Sequence, residues 1–156
     1  NRERHIDDIE TIRSSGARIK MIDDGDVSAV IASVIDSSNI DMYYGIGGAP
    51  EGVLAAAALQ CLGGSIEGQL IFYNEQEILR AKKTGIKDLD KFYSLDDLAH
   101  GDIMFSATGV TDGTMLKGIK ITKNYAETHS IVMRSKTGTI RHINSEHNFL
   151  IKKLEH

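Results

Sequence analysis

The stretch Ile40-Asp41-Met42-Tyr43-Tyr44-Gly45-Ile46-Gly47-Gly48-Ala49-Pro50-Glu51-Gly52-Val53-Leu54 decides the fold class. Residues 40–44 suit a pleated surface and predict a strand. Gly45 to Ala49 form a loop, Pro50 suits the first helical position, and the alanine-rich residues 51–62 predict a helix stopped by Gly63-Gly64. Strand, glycine loop and helix in that order make a unit of α/β folds. Phosphates bind at such loops because glycine lets the backbone approach closely, while the helix start offers free N–H groups and a positive dipole end. The third glycine of a dinucleotide fingerprint would fall at Pro50 and no Walker lysine follows, so neither pattern is complete. Glu51, in the first helical turn, is either a dipole-favouring carboxylate or a ligand for a hard cation.

Working toward the N-terminus, residues 17–22 predict a strand, and Asp23-Asp24-Gly25-Asp26 a turn before a helix over 27–35. Asp24 and Asp26 around Gly25 sit at the carboxyl end of a predicted strand, where ligands gather in open sheets. They can accept from sugar hydroxyls or cap the helix. Residues 4–15 have helical spacing at Ile6, Ile9 and Ile12, with Gly16 as the stop. Arg2 and Arg4 alternate at its start, where two planar forks can hold a phosphate or face solvent.

Toward the C-terminus, residues 69–73 predict a strand, Asn74 caps a helix running to Lys83, and Ser94 with Asp97 opens a short helix. Residues 103–107 read as an apolar strand. Strands follow at 118–122, 130–135 and 139–144, the last two joined around Lys136-Thr137-Gly138. This alternation predicts one α/β domain, a layered α/β/α arrangement with a mixed sheet. Thr111-Asp112-Gly113-Thr114 reads as a turn, and Arg134, Lys136 and Arg141 as a basic hairpin meeting solvent, a phosphate or a partner.

Composition agrees with one globular domain. Of 156 residues, 41% are hydrophobic and 26% charged, and a chain of that length buries a core without staples. The formal net charge of -4 disfavours nucleic acid as a partner, though not a small anion held locally. No run of residues reaches the ~18–20 apolar positions of a membrane span. The one cysteine, Cys61, forms no internal bridge and fits a reducing, cytoplasmic compartment. The six histidines lack metal-site spacing and read as structural. The chain starts at Asn1, and Leu154-Glu155-His156 reads as a tag remnant.

Taken together, Arg2-Glu3-Arg4-His5, Asp24-Gly25-Asp26-Val27, the run from Gly45 to Val53 and Ser106-Ala107-Thr108-Gly109-Val110-Thr111-Asp112-Gly113 resemble the class II fructose-1,6-bisphosphatases. Thr128-His129-Ser130 and Met133 to Thr139 extend the resemblance over nearly the whole chain. It implies that residues 1–153 are the C-terminal half of a sugar-phosphatase fold from the lithium-sensitive, metal-dependent superfamily. The N-terminal domain of such a protein carries most metal carboxylates and is absent from this sequence. By position, Arg2, Glu3, Arg4, Asp24, Gly25, Asp26 and Gly48 resemble substrate contacts and Glu51 the metal ligand, with no catalytic residue in this half. The implied cofactor is Mg2+ or Mn2+, and the implied reaction converts fructose 1,6-bisphosphate to fructose 6-phosphate and phosphate in gluconeogenesis. The implied partners are that substrate and the N-terminal domain, in a homo-oligomer when complete. Alone, the chain is expected to be inactive and monomeric or weakly associating. Alternatives are a sedoheptulose 1,7-bisphosphatase or dual-specificity enzyme, a non-catalytic sugar-phosphate-binding module, or a nucleotide-binding module.

Overall fold

The computed structural model describes residues 2–152, so the segment read as a tag remnant lies outside the described residues, as does residue 153 at the predicted domain edge. A 3₁₀ turn, Glu3–His5, leads into helix α1, Ile6–Ser14, which ends at Gly16 with φ +86°. A left-handed residue just past the last turn is the stop that glycine supplies without steric conflict. Helix α2, Asp26–Ala32, follows the acidic turn, and helix α3, Ala49–Leu62, follows the glycine loop. Gly63, at φ +78°, closes α3.

Beyond α3 come strand β1, Glu67–Gln69, helix α4, Glu75–Lys83, strand β2, Phe92–Ser94, and helix α5, Leu95–Leu98. The two predicted caps are in place. Asn74 Oδ1 accepts from the Glu77 N–H at 3.0 Å, and Ser94 with Asp97 forms a reciprocal capping box. The remaining strands are β3, Met104–Thr108, β4, Lys120–Ile121, β5, Tyr125–Arg134, and β6, Thr139–Asn148.

β5 is the spine of the larger sheet. One edge pairs along its length with β6, from Tyr125↔Asn148 to Arg134↔Thr139, while the other takes β3 over residues 130–134 and β4 over 126–127. β1 and β2 form a separate antiparallel pair. The α/β class is as expected. Every pairing among the described residues is antiparallel, whereas a mixed sheet needs parallel partners. Residues 17–22, 40–44 and 70–73, expected to contribute strands, lie in no ladder. Pleat-suited side chains do not make a strand unless a neighbouring edge meets the backbone groups, which is why β propensity depends on context.

The core forms where α3 meets the sheet on one side and α2 on the other. Ala58 and Cys61 of α3 join Ile31, Phe105, Leu116, Ile131 and Met133 in one cluster, and Ala55 and Leu59 join Val30 in a second. The buried alanines let neighbouring elements come close to the α3 backbone, and the Ala-rich sequence keeps helix propensity high. Burial pushes the Cys61 thiol up, and its sulfur lies 3.7 Å from the Ile103 carbonyl, as fits a packed core thiol. Among the described residues no helix is long and apolar enough to cross a membrane.

Leu59, 1% exposed, fills the space between α2 and α3, whereas Leu79 on α4 is 58% exposed. Leu59→Ala is therefore expected to destabilise the chain by about 2–5 kcal/mol, through lost burial plus the cavity left behind. Leu79→Ala should change stability by no more than about 0.5 kcal/mol. Urea unfolding of the two variants checks the contrast, and equal losses would contradict this packing.

Candidate functional site

The glycine loop makes no ladder, so side chains from elsewhere in the sequence satisfy the backbone of Ile46. The Ile46 N–H donates to His5 Nε2 at 3.0 Å. Its carbonyl accepts from Arg4 Nε at 3.0 Å and from Arg4 Nη2 at 2.6 Å. The 3₁₀ turn at the N-terminus thus sits against the loop preceding α3, 41 and 42 residues away in sequence. Arg2 reaches the neighbouring acidic turn, its Nη2 lying 3.5 Å from the Asp23 carbonyl, the outer limit of a hydrogen bond. Glu3 is exposed in the same turn.

Each glycine of the loop makes room for one polar group. A Cβ at Gly45 would stand 2.9 Å from the Tyr43 hydroxyl, and one at Gly47 would stand 2.9 Å from Asp26 Oδ2. One at Gly48 would collide with the Glu51 carboxylate. Gly48 has φ −71° and ψ 145°, a conformation open to any residue, so the close approach of Glu51 is what calls for glycine there. The loop brings Tyr43, Asp26 and Glu51 to one place.

Tyr43 ties the loop to α2. Burial raises its phenol to about 12, reinforced by the charge of Asp26 and a hydrogen bond to that carboxylate, while nearby Arg4 pulls the other way. The adjacent Tyr44 is raised by burial and, on top of that, by the charge of Asp8 and a hydrogen bond to it, which links α1 to the same strand-like segment.

In the acidic turn, the predicted capping by aspartate is replaced by a different arrangement. Gly25 is itself the N-cap of α2 at φ +85°, and Asp24 Oδ1 accepts from the Gly25 N–H at 2.7 Å. The left-handed backbone accounts for glycine at this position, and Asp26 becomes the first residue of α2, with its carboxylate at the loop. Arg4, Asp26, Gly48 and Glu51 therefore lie along one loop, and Arg2 lies at the acidic turn. Asp24 and Gly25 shape the turn beside them.

Tyr43 is absent from the residues singled out in the sequence, and His5 enters there only within the Arg2-Glu3-Arg4-His5 motif and among the histidines read as structural. Tyr43 offered no motif of its own, since its place beside Gly45 and Asp26 depends on how the loop folds back on α2. His5 offered only its place beside Arg4. Other candidates lie apart from this site. Arg134 pairs with Asp102 through two hydrogen bonds, His129 stacks on His142, and Asp112 accepts from the Gly118 N–H at 2.9 Å within a turn.

The Glu51 carboxylate is an exposed hard oxygen donor with no hydrogen bond or ion pair among the described residues, which suits a Mg2+ or Mn2+ ligand. Among the described residues no group of three or more His, Cys, Asp or Glu side chains could hold a metal ion. This chain fits one ligand position of such a site, and the remaining oxygens would have to come from elsewhere.

Residues 1–147 match the family described as bacterial fructose-1,6-bisphosphatase, glpX-encoded. The chain is 41% identical to the D-fructose 1,6-bisphosphatase class 2/sedoheptulose 1,7-bisphosphatase 2 of Acaryochloris marina, an alignment covering 95% of this chain and 46% of that protein. The proteins named D-fructose 1,6-bisphosphatase class 2/sedoheptulose 1,7-bisphosphatase from Thermosynechococcus vestitus and Trichodesmium erythraeum are 40% and 41% identical. Those alignments cover 95% and 96% of this chain, and 47% of each relative. The chain thus spans about half the length of the curated relatives it matches.

The environment of Tyr43 predicts a pH response. Its phenol is expected to ionise near 12, above the ordinary 10, so the folded state keeps a proton that the unfolded chain releases. The stabilisation is full below about pH 10 and is lost as pH rises from there through 12. Absorbance titration of the five tyrosines should show Tyr43 and Tyr44 ionising late, and Tyr43→Phe should remove the transition near 12. Its persistence in the variant would mean that the phenol ionising near 12 is not Tyr43.

Proposed function

That this chain belongs to the glpX-encoded bacterial fructose-1,6-bisphosphatases is the premise from which we propose that it is the substrate-recognition half of a sugar-bisphosphate phosphatase. The observation that carries this reading is the meeting of Arg4, Asp26, Gly48 and Glu51 along one glycine loop, with Arg2 at the acidic turn that precedes α2. Arginine forks match phosphate oxygens, and short carboxylates accept from sugar hydroxyls. Arg2 and Arg4 bind the phosphate and Asp24 and Asp26 orient the sugar, with Gly25 shaping their turn. The small Gly48 allows close approach, and Glu3 flanks the arginines. Glu51 holds Mg2+ or Mn2+ from the first turn of α3.

When bound, such a cation polarises phosphoryl oxygens and favours a hydroxide nucleophile. A hard cation takes about six oxygens, so an N-terminal domain of the complete protein supplies the other carboxylates. The reaction proposed is hydrolysis of fructose 1,6-bisphosphate to fructose 6-phosphate and phosphate, a gluconeogenic step in the cytoplasm, carried out by a homo-oligomer. A second reading is dual specificity that includes sedoheptulose 1,7-bisphosphate, favoured by the names of all three relatives.

The test is phosphate release by a protein carrying this chain together with the remaining length of its relatives, and by its Glu51→Gln variant. Losing a favourable helix-dipole contact changes stability by only about 0.3–1 kcal/mol and hardly touches turnover. Losing a metal ligand is expected to lower turnover by about 10²-fold or more, beyond typical outer-shell effects. The 156-residue chain alone should release no phosphate. Near-normal turnover in the Glu51→Gln variant, or activity in the isolated chain, would overturn the assignment.

A further inference from the structure

We propose that Arg4 and His5 form a two-sided clamp on the Ile46 peptide, making His5 a positioning residue that sets the glycine loop for both phosphate and metal. The proposal rests on the sugar-phosphatase reading above and assigns a role to a residue that the reading leaves idle. Ile46 lies between Gly45 and Gly47-Gly48, in a segment that belongs to no helix or strand. Such a loop has unusually wide backbone freedom, and nothing within it selects one shape. Both backbone groups of its central residue are instead taken by neighbouring side chains of the 3₁₀ turn, His5 on the N–H and Arg4 on the carbonyl.

The geometry assigns the proton on each side. Because the Ile46 N–H donates to Nε2, the imidazole carries its proton on Nδ1 and acts as acceptor toward the loop. The Arg4 guanidinium has five N–H donors, and Nε–H and one Nη2–H face the Ile46 carbonyl. Three remain, and two of them, one on Nη1 and one on Nη2, form an outer edge that fits a phosphate. Arg4 is thereby both a loop-holding and a phosphate-facing residue, and His5 fixes the same peptide without meeting the substrate. Holding Ile46 fixes the backbone at Gly47 and Gly48, and these glycines lie against the Asp26 and Glu51 carboxylates. The phosphate-binding edge and the metal-binding carboxylate are therefore registered through one peptide.

The experiment compares His5→Ala, His5→Gln and His5→Asn. The terminal oxygen of Gln falls where Nε2 lies and can accept from the Ile46 N–H, whereas that of Asn stops short of it. Amide hydrogen exchange on the 156-residue chain reads the clamp directly. Exchange at Ile46 is expected to rise about tenfold in His5→Ala and His5→Asn, with Leu59 in the core unchanged, and to stay near the parent value in His5→Gln. Phosphate release by the longer protein reads the consequence. kcat/KM is expected to fall about tenfold or more, and the half-saturating Mn2+ concentration to rise, in Ala and Asn but not in Gln.

Unchanged exchange at Ile46 would overturn the clamp. Raised exchange with unmoved kinetic and metal constants would reduce it to a brace and overturn the positioning role. If His5→Ala fails to fold, the Gln and Asn pair decides the same question. A parent protein that releases no phosphate would contradict the sugar-phosphatase reading, and the exchange result would still decide the clamp.

Discussion

A glycine loop cannot hold its own shape, so the site depends on what is pressed against it. Here the constraint is the peptide of Ile46, held by His5 on its N–H and by Arg4 on its carbonyl. Without those bonds, Gly45, Gly47 and Gly48 would leave a segment of high conformational entropy at the mouth of α3. With them, the glycines become three openings filled by the Tyr43 hydroxyl, the Asp26 carboxylate and the Glu51 carboxylate. The same glycines that make the loop soft make it able to receive polar groups at close range.

The other side of the loop is rigid. α3 begins at Ala49, and its body is locked by Ala55, Ala58, Leu59 and Cys61 between α2 and the β3–β5 sheet. Glu51 therefore stands on a helix whose position is set by apolar packing, and Asp26 stands on α2, packed against that same helix. A carboxylate carried on a packed helix is placed more accurately than one on a free loop, as metal ligation requires. Among the described residues no group of three or more His, Cys, Asp or Glu side chains surrounds Glu51 in a way that could hold a hard cation, which needs several oxygens.

Local chemistry was legible in the sequence where it acts over a few residues. Asn74, Ser94 with Asp97, Gly16, and the pair Pro50 and Gly63 mark helix ends by hydrogen bonds or backbone geometry that a short window contains. Pairing was less legible. Residues 17–22 and 40–44 carry strand-like side chains, but a ladder depends on a partner edge far away in sequence, and none of the described residues supplies one. The site divided along the same line. Glycines, arginines and carboxylates of the motif could be read as a set, whereas His5 and Tyr43 act through contacts to Ile46 and Asp26 that sequence spacing does not signal. At Gly25 the aspartates suggested a cap, and the backbone instead used the left-handed conformation that only glycine adopts freely.

The most direct test of the site is anomalous diffraction at the manganese edge, from crystals of a protein carrying this chain and the remaining length of its relatives, grown with Mn2+ and fructose 6-phosphate. A manganese peak about 2.1 Å from a Glu51 carboxylate oxygen is the expected result, with the sugar phosphate on Arg2 and the outer edge of Arg4. Manganese held without Glu51, or the sugar phosphate bound away from the Ile46 loop, would contradict it.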